Sequence, residues 1–240
     1  MQHLAGTSWG ANANVLRISA LSLVFSTAEY CGPVWLNSAH VSDIDTQLNR
    51  VMRTISGTLT ATPLPWLPVL CNIAPPEVRR RDALIKEYNK ILSAPNLPIL
   101  QDLPPVRNRL RSRKPPLQLA QLLLNRNFSA ISSWTESWGE FEGRNHTLVT
   151  NPTTKLVGMD LPRREWVALN RFRTDVGRCN YWKARWGQVI EQSCDCGADF
   201  QTMRNIVKDC PLRAFSGGLV GLSEVSADSV TWLIGLDLEV

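Results

Sequence analysis

"SDIDTQLNRVMRTISG", residues 42–57, decides the fold class. Ile44, Leu48, Val51, Met52 and Ile55 recur at three- and four-residue intervals, so one stripe of an α-helix is apolar and the rest polar. Ser42, with Asp45 three residues on, reads as an N-terminal cap, and Gly57 stands where a left-handed residue stops the helix. The flanking segments supply partners for the stripe. "NVLRISALSLVFSTAEY", 14–30, predicts a more fully buried helix ending near Gly32 and Pro33, antiparallel to the first. After a proline-rich stretch, Pro75 and Pro76 lead into "EVRRRDALIKEYNKIL". There Val78, Leu84, Ile85, Tyr88, Ile91 and Leu92 share a face, and Arg79, Arg80 and Lys86 occupy the other.

Residues 93–115, "SAPNLPILQDLPPVRNRLRSRKP", interrupt this pattern with five prolines and with the cations Arg107, Arg109, Arg111, Arg113 and Lys114. Proline resists both helix and sheet, so the stretch reads as an extended basic linker. Beyond it, "PPLQLAQLLLNRN" and "FSAISSWTESWGEF" predict short helices. "LPRREWVALNRFRTDVG" predicts a longer one with Trp166, Leu169 and Asn170 inward and Arg164, Arg171 and Arg173 outward, and "SADSVTWLIGLDL" a last one. Alternation of period two is scarce. The expectation is a mainly α protein of two small helical units, 1–92 and 116–240, joined by the linker.

Charge is distributed unevenly within the net +5: residues 1–74 carry three basic and three acidic groups, 75–190 carry 20 and 10, and 191–240 carry three and eight. A basic middle segment suits contact with a polyanion through Arg79, Arg80, the linker cations, Arg164, Arg171 and Arg173; a solvated face without a partner has the same charge. Arg163, Arg178, Lys183 and Arg185 extend the set and interleave with Trp166, Tyr181, Trp182 and Trp186, which read first as core pins and second as platforms for unpaired bases. The most apolar run, Ile18–Ala28, falls short of the ~20 residues that cross a bilayer. Six irregularly spaced cysteines without a secretory leader predict a reduced, intracellular setting, and the linker cations would also serve as a nuclear address. His3, His40 and His146 sit in no nucleophile or metal motif.

"SCDCGADFQTMRNIVKDCPLRAF", 193–215, carries three cysteines, Cys194, Cys196 and Cys210, spaced as in a metal knuckle. Asn205 occupies the slot that would complete C-x-C-x8-H-x4-C, and tetrahedral zinc needs four donors, of which imidazole and thiolate are preferred. Cys179 is a candidate substitute. The two readings are a zinc site, with zinc as the candidate cofactor, and three buried cysteines acting as small hydrophobes.

The run from "LAGTSWGANANVLRISALSLVFSTAEYCGPVWLNSAHVSDIDTQLNRVMRTISG" through "CNIAPPEVRR" resembles the segment that follows the polymerase palm of non-LTR (LINE-type) retrotransposon reverse transcriptases. "ALNRFRTDVGRCNYWKARWG", "CDCGADFQTMRNIVKDCPLRAFSGG" and "VTWLIGLDLEV" resemble the end of the same polyproteins, in the same order. The resemblance implies a thumb-like module at 1–92 and a C-terminal module with a knuckle at 194–210, both contacting RNA or DNA. Palm "YADD" and endonuclease motifs are absent, so the implied role is a non-catalytic C-terminal fragment of an RNA-directed DNA polymerase that binds nucleic acid weakly. The alternative is a structural or interaction remnant that self-associates through an exposed thumb face. Two departures remove nitrogen donors that the family carries: Asn205 replaces a histidine, and Asp175 and Val176 replace Gly-His.

Overall fold

A computed structural model describes residues 4–101 and 115–240, and every regular element in them is helical apart from one isolated bridge between Ala5 and Gly10. The helices are α1 (Ala13–Ser19), α2 (Ser26–Ala28), α3 (Gly32–Trp35), α4 (Val41–Ser56), α5 (Trp66–Cys71) and α6 (Pro76–Ser93). After the linker come α7 (Pro116–Asn125), α8 (Ala130–Gly139), α9 (Arg163–Thr174), α10 (Asn180–Arg185), α11 (Gly218–Ser223) and α12 (Ala227–Gly235). None is long and apolar enough to cross a membrane.

Helix α4 follows its stripe: Leu48, Met52 and Ile55 are buried, Ile44 and Val51 partly so. Its N-terminus corrects the expected cap. The helix begins at Val41 after His40, Ser42 lies inside the first turn, and Asp45 instead receives Arg80. Gly57 ends the helix at φ 72°, and a Cβ there would lie 2.1 Å from Val167 Cγ2. Only glycine satisfies both the left-handed backbone and the contact with α9.

The first helix is less buried than expected. A π-helical turn, Ala20–Phe25, joins α1 to α2, and the run buries Leu16, Ala20 and Phe25 while leaving Val15, Ile18 and Leu23 at 49%, 61% and 67% exposure. Apolar residues surround this helix, yet neighbours cover a single side.

The expected split into two units meets a core that crosses it. Leu16, Met52 and Cys71 from before the linker share one buried cluster with Trp166, Phe172, Met203 and Leu233 from after it. Two satellite clusters do the same: Trp66 and Leu70 pack with Trp134 and Trp138, and Leu84 and Tyr88 pack with Ala120 and Leu123. The amphipathic faces of α4 and α6 find too little apolar surface in the first 92 residues, so segments after the linker cover them.

Candidate metal centre and basic surface

Helix α4 ends with carbonyls that have no partner within the helix. Helix α9 supplies them. Arg163 donates from Nη2 to Thr54 O at 2.5 Å and from Nη1 to Ile55 O at 2.7 Å, and Trp166 Nε1 reaches Ile55 O at 3.0 Å. Asn170 Nδ2 donates to Ser56 O at 2.9 Å, and Arg171 Nε to Gly57 O at 3.2 Å. Arg173 turns the other way, to Val157 O at 2.9 Å and Ser223 O at 3.1 Å, with its guanidinium over the Trp166 ring.

These contacts correct the outward placement of Arg171 and Arg173, which are buried. Positive groups are favourable at the negative end of the α4 dipole, and the carbonyls accept from most of their donors, while Arg171 Nη2 is buried without a partner. Burial pushes all three guanidinium pKa values down from the ordinary arginine range; at Arg171 the neighbouring Arg178 adds to this and Glu239 offsets only part of it. Arg164 is exposed, as expected, and donates to Leu236 O at 3.0 Å.

The α6 cations are also engaged. Arg80, expected on the outer face, is buried, pairs with Asp45 through contacts of 2.5 and 2.9 Å, and lies over the Trp35 ring. Arg79 is partly buried, forms a forked pair with Glu29 at 2.6 and 2.5 Å, and lies over Phe25. Both tie α6 to the first helices. Arg107, Arg109, Arg111, Arg113 and Lys114 lie outside the described residues.

The cysteine segment assembles as its spacing predicts, by an unpredicted device. The thiols of Cys194, Cys196 and Cys210 lie within 4.8 Å of one another, with Cys194 and Cys210 sulfurs 3.9 Å apart. Five residues separate Asn205 from Cys210, more than one α-turn; the structure closes the gap with a π-helical turn, Asn205–Asp209, in which Cys210 N donates to Asn205 O at 2.8 Å. Such turns recur at functional sites. At the other end, Cys194 N donates to Ala198 O and Gly197 N to Cys194 O, both at 2.9 Å, turning the two cysteines toward the helix.

Asn205 sits in the fourth slot. Its Oδ1 is buried without a partner. The Ala198 N–H, followed by the Cys194 thiol, holds the Cys196 pKa below the usual thiol range, whereas burial raises that of Cys194. Cys179 is not the substitute donor: its thiol is buried in the main core and stands outside the triad.

Sequence reading missed the support around the triad. Gln201 is buried, donates from Nε2 to Cys194 Sγ at 3.9 Å and Asp195 Oδ1 at 3.2 Å, and accepts Asn180 N at 3.0 Å. Arg213 bridges Asp195 and Asp237, bonding the latter at 2.7 and 2.8 Å. No periodicity marks either residue; a long polar side chain between cysteines was the available signal for Gln201.

Next to the centre, α10 presents aromatic and cationic groups together. Arg185 is exposed over the Tyr181 and Trp182 rings, and Trp186, at 36% exposure, stacks on Trp182 with centroids 5.8 Å apart. Tyr181 and Trp182 also pack against the main core, and Trp166 lies within it. No family model matches the chain, and the searches of curated proteins and of solved structures likewise returned no match.

Proposed function

We propose that this chain is a non-catalytic nucleic-acid-binding module of the kind found at the C-terminus of LINE-type RNA-directed DNA polymerases, working in the nucleus. Residues 1–92 form its thumb-like part, 93–115 its basic linker, and 116–240 its knuckle-bearing part. A zinc ion would be held by Cys194, Cys196 and Cys210 with Asn205 Oδ1 as fourth donor. When bound, it would supply a structural cross-link and no chemistry.

The observation that carries this reading is the thiol triad. Sulfurs that share one tetrahedral zinc at ~2.3 Å stand ~3.8 Å apart, and Cys194 and Cys210 stand at 3.9 Å. The orphaned Asn205 oxygen fits the remaining position. RNA or DNA contact rests on Arg185 with Trp182 and Trp186, on Arg164, and on the linker cations. Arg79, Arg80, Arg171 and Arg173 leave the contact set, because internal partners hold them.

Metal content per chain tests the first half: one zinc in the wild type, none in Cys210→Ser, and tighter retention in Asn205→His. Zinc in Asn205→His alone would overturn the three-thiolate site. Arg185→Ala tests the second half, with a several-fold loss of single-stranded RNA affinity and a salt slope reduced by about 1. Unchanged binding would remove that surface from the interface. One observation favours the self-association reading: Ile18, Leu23, Tyr30 and Val34, all early in the chain, are at least 61% exposed. Sedimentation across a dilution series tests it, and a concentration-independent monomer would dismiss it.

A further inference from the structure

A cavity of about 730 Å³ opens between the knuckle and the Arg144 loop, within the range of ~300 to 1,000 Å³ typical of small-molecule sites. Its rim carries Arg144, Arg204 and Lys208; its floor is made by Met203, Val207 and Leu219. We propose that this cavity takes a mononucleotide unit, the phosphate at the rim cations and the base on the apolar floor. The inference rests on the nucleic-acid reading above and names the subsite where one unpaired nucleotide is held.

The charge placement argues for an anion. Residues 191–240 are net acidic and contain three cations, Arg204, Lys208 and Arg213. Arg213 is locked between two aspartates, whereas the other two stand exposed at the cavity rim. Lys208 has no ion-pair partner among the described residues, and Arg204 has one loose pair, to Asp209 at 3.8 Å. The acidic group in the wall, Asp175, is neutralised by Arg144 at 2.5 Å. The π-helical turn that brings Asn205 to the thiols is the same turn that aims Arg204 and Lys208 at the cavity.

The floor argues for a flat apolar body beside that anion. Met203 and Val207 are buried and fixed by the main core. Met203 packs so closely on Gly177 that a Cβ there would lie 2.4 Å from its sulfur. Thioethers pack well against aromatic rings.

Uridine 5′-monophosphate, inorganic phosphate, and a single-stranded RNA decamer with and without a 5′-phosphate are the probes, used on the zinc-supplemented full chain. The expected result is saturable nucleotide binding that Leu219→Trp, which fills the cavity, lowers at least tenfold, and that Arg204→Glu and Lys208→Glu each lower several-fold. The two charge variants lie on the surface and stay informative if the filled variant fails to fold. Preference for the 5′-phosphorylated decamer assigns the unit to a strand end, and equal affinity for the free nucleotide assigns it to a metabolite; both support the site. Undetectable nucleotide binding, indifference to all three substitutions, or equal competition by inorganic phosphate overturns it. Loss of the cavity site with intact decamer binding leaves the wider reading standing. Nucleotide binding without decamer binding keeps the cavity and ends the nucleic-acid reading.

Discussion

Helix α9 and the knuckle segment, 193–215, use cations in opposite ways. Helix α9 carries four arginines and turns three of them inward, two of these onto the last carbonyls of α4. The knuckle segment carries three cations against three acidic groups, clamps one cation between carboxylates and leaves two exposed at a cavity. The arginine-rich helix is therefore the structural element, and the segment of zero net charge is the candidate binding surface. What separates them is the supply of buried carbonyl oxygens: a helix end that cannot reach water draws donors to itself, and arginine offers five on one side chain.

The largest test of this contrast is Trp166→Ala. Removing a fully buried indole and its bond to Ile55 O is expected to cost about 3–5 kcal/mol, read by urea unfolding, while Arg185→Ala moves stability by less than about 0.5 kcal/mol. Equal effects would erase the division. Next is Gly57→Ala, expected to cost at least about 1 kcal/mol from the left-handed backbone, plus the clash with Val167. Val167→Ala should recover the clash and leave the backbone cost, and a double-mutant cycle with no coupling would show that α9 does not press on this turn.

The smallest effect is acid sensitivity confined to the knuckle. Arg213 holds the carboxyls of Asp195 and Asp237 below the ordinary aspartate range. Their contribution is full above the unfolded pKa, about 3.9, and is lost as pH falls through the lower folded values. Both carboxylates are largely exposed, so the loss stays under about 1 kcal/mol. In metal-stripped protein, acid-induced proteolysis within 193–215 should be weaker in its pH dependence for Arg213→Met than for the wild type. A matching pH dependence in α9, whose partners are neutral carbonyls, would contradict the geometry.

Much of the local structure was legible. The apolar stripe of α4, its glycine stop, the inward face of α9 and the cysteine spacing follow from short-range periodicity and turn chemistry. Burial of Arg80, Arg171 and Arg173 was not, because their partners are distant in sequence: Arg80 answers Asp45 on another helix, and Arg171 answers a carbonyl 114 residues away. The π-helical turn at Asn205 was equally hidden, since its widening is set by what the ends of the turn must reach. Cys179 looked available by proximity in sequence, and core packing turned its thiol elsewhere.

The capping of α4 by α9 also sets a clock for synthesis. Gly57 O waits for Arg171, 114 residues later, so at ~5–20 residues per second the last turn of α4 stays unfinished for roughly 6 to 23 s on the ribosome. Through that interval the apolar stripe of the nascent helix lacks part of its cover, and a chaperone that shields it until residue 171 has emerged would raise the yield of folded chain.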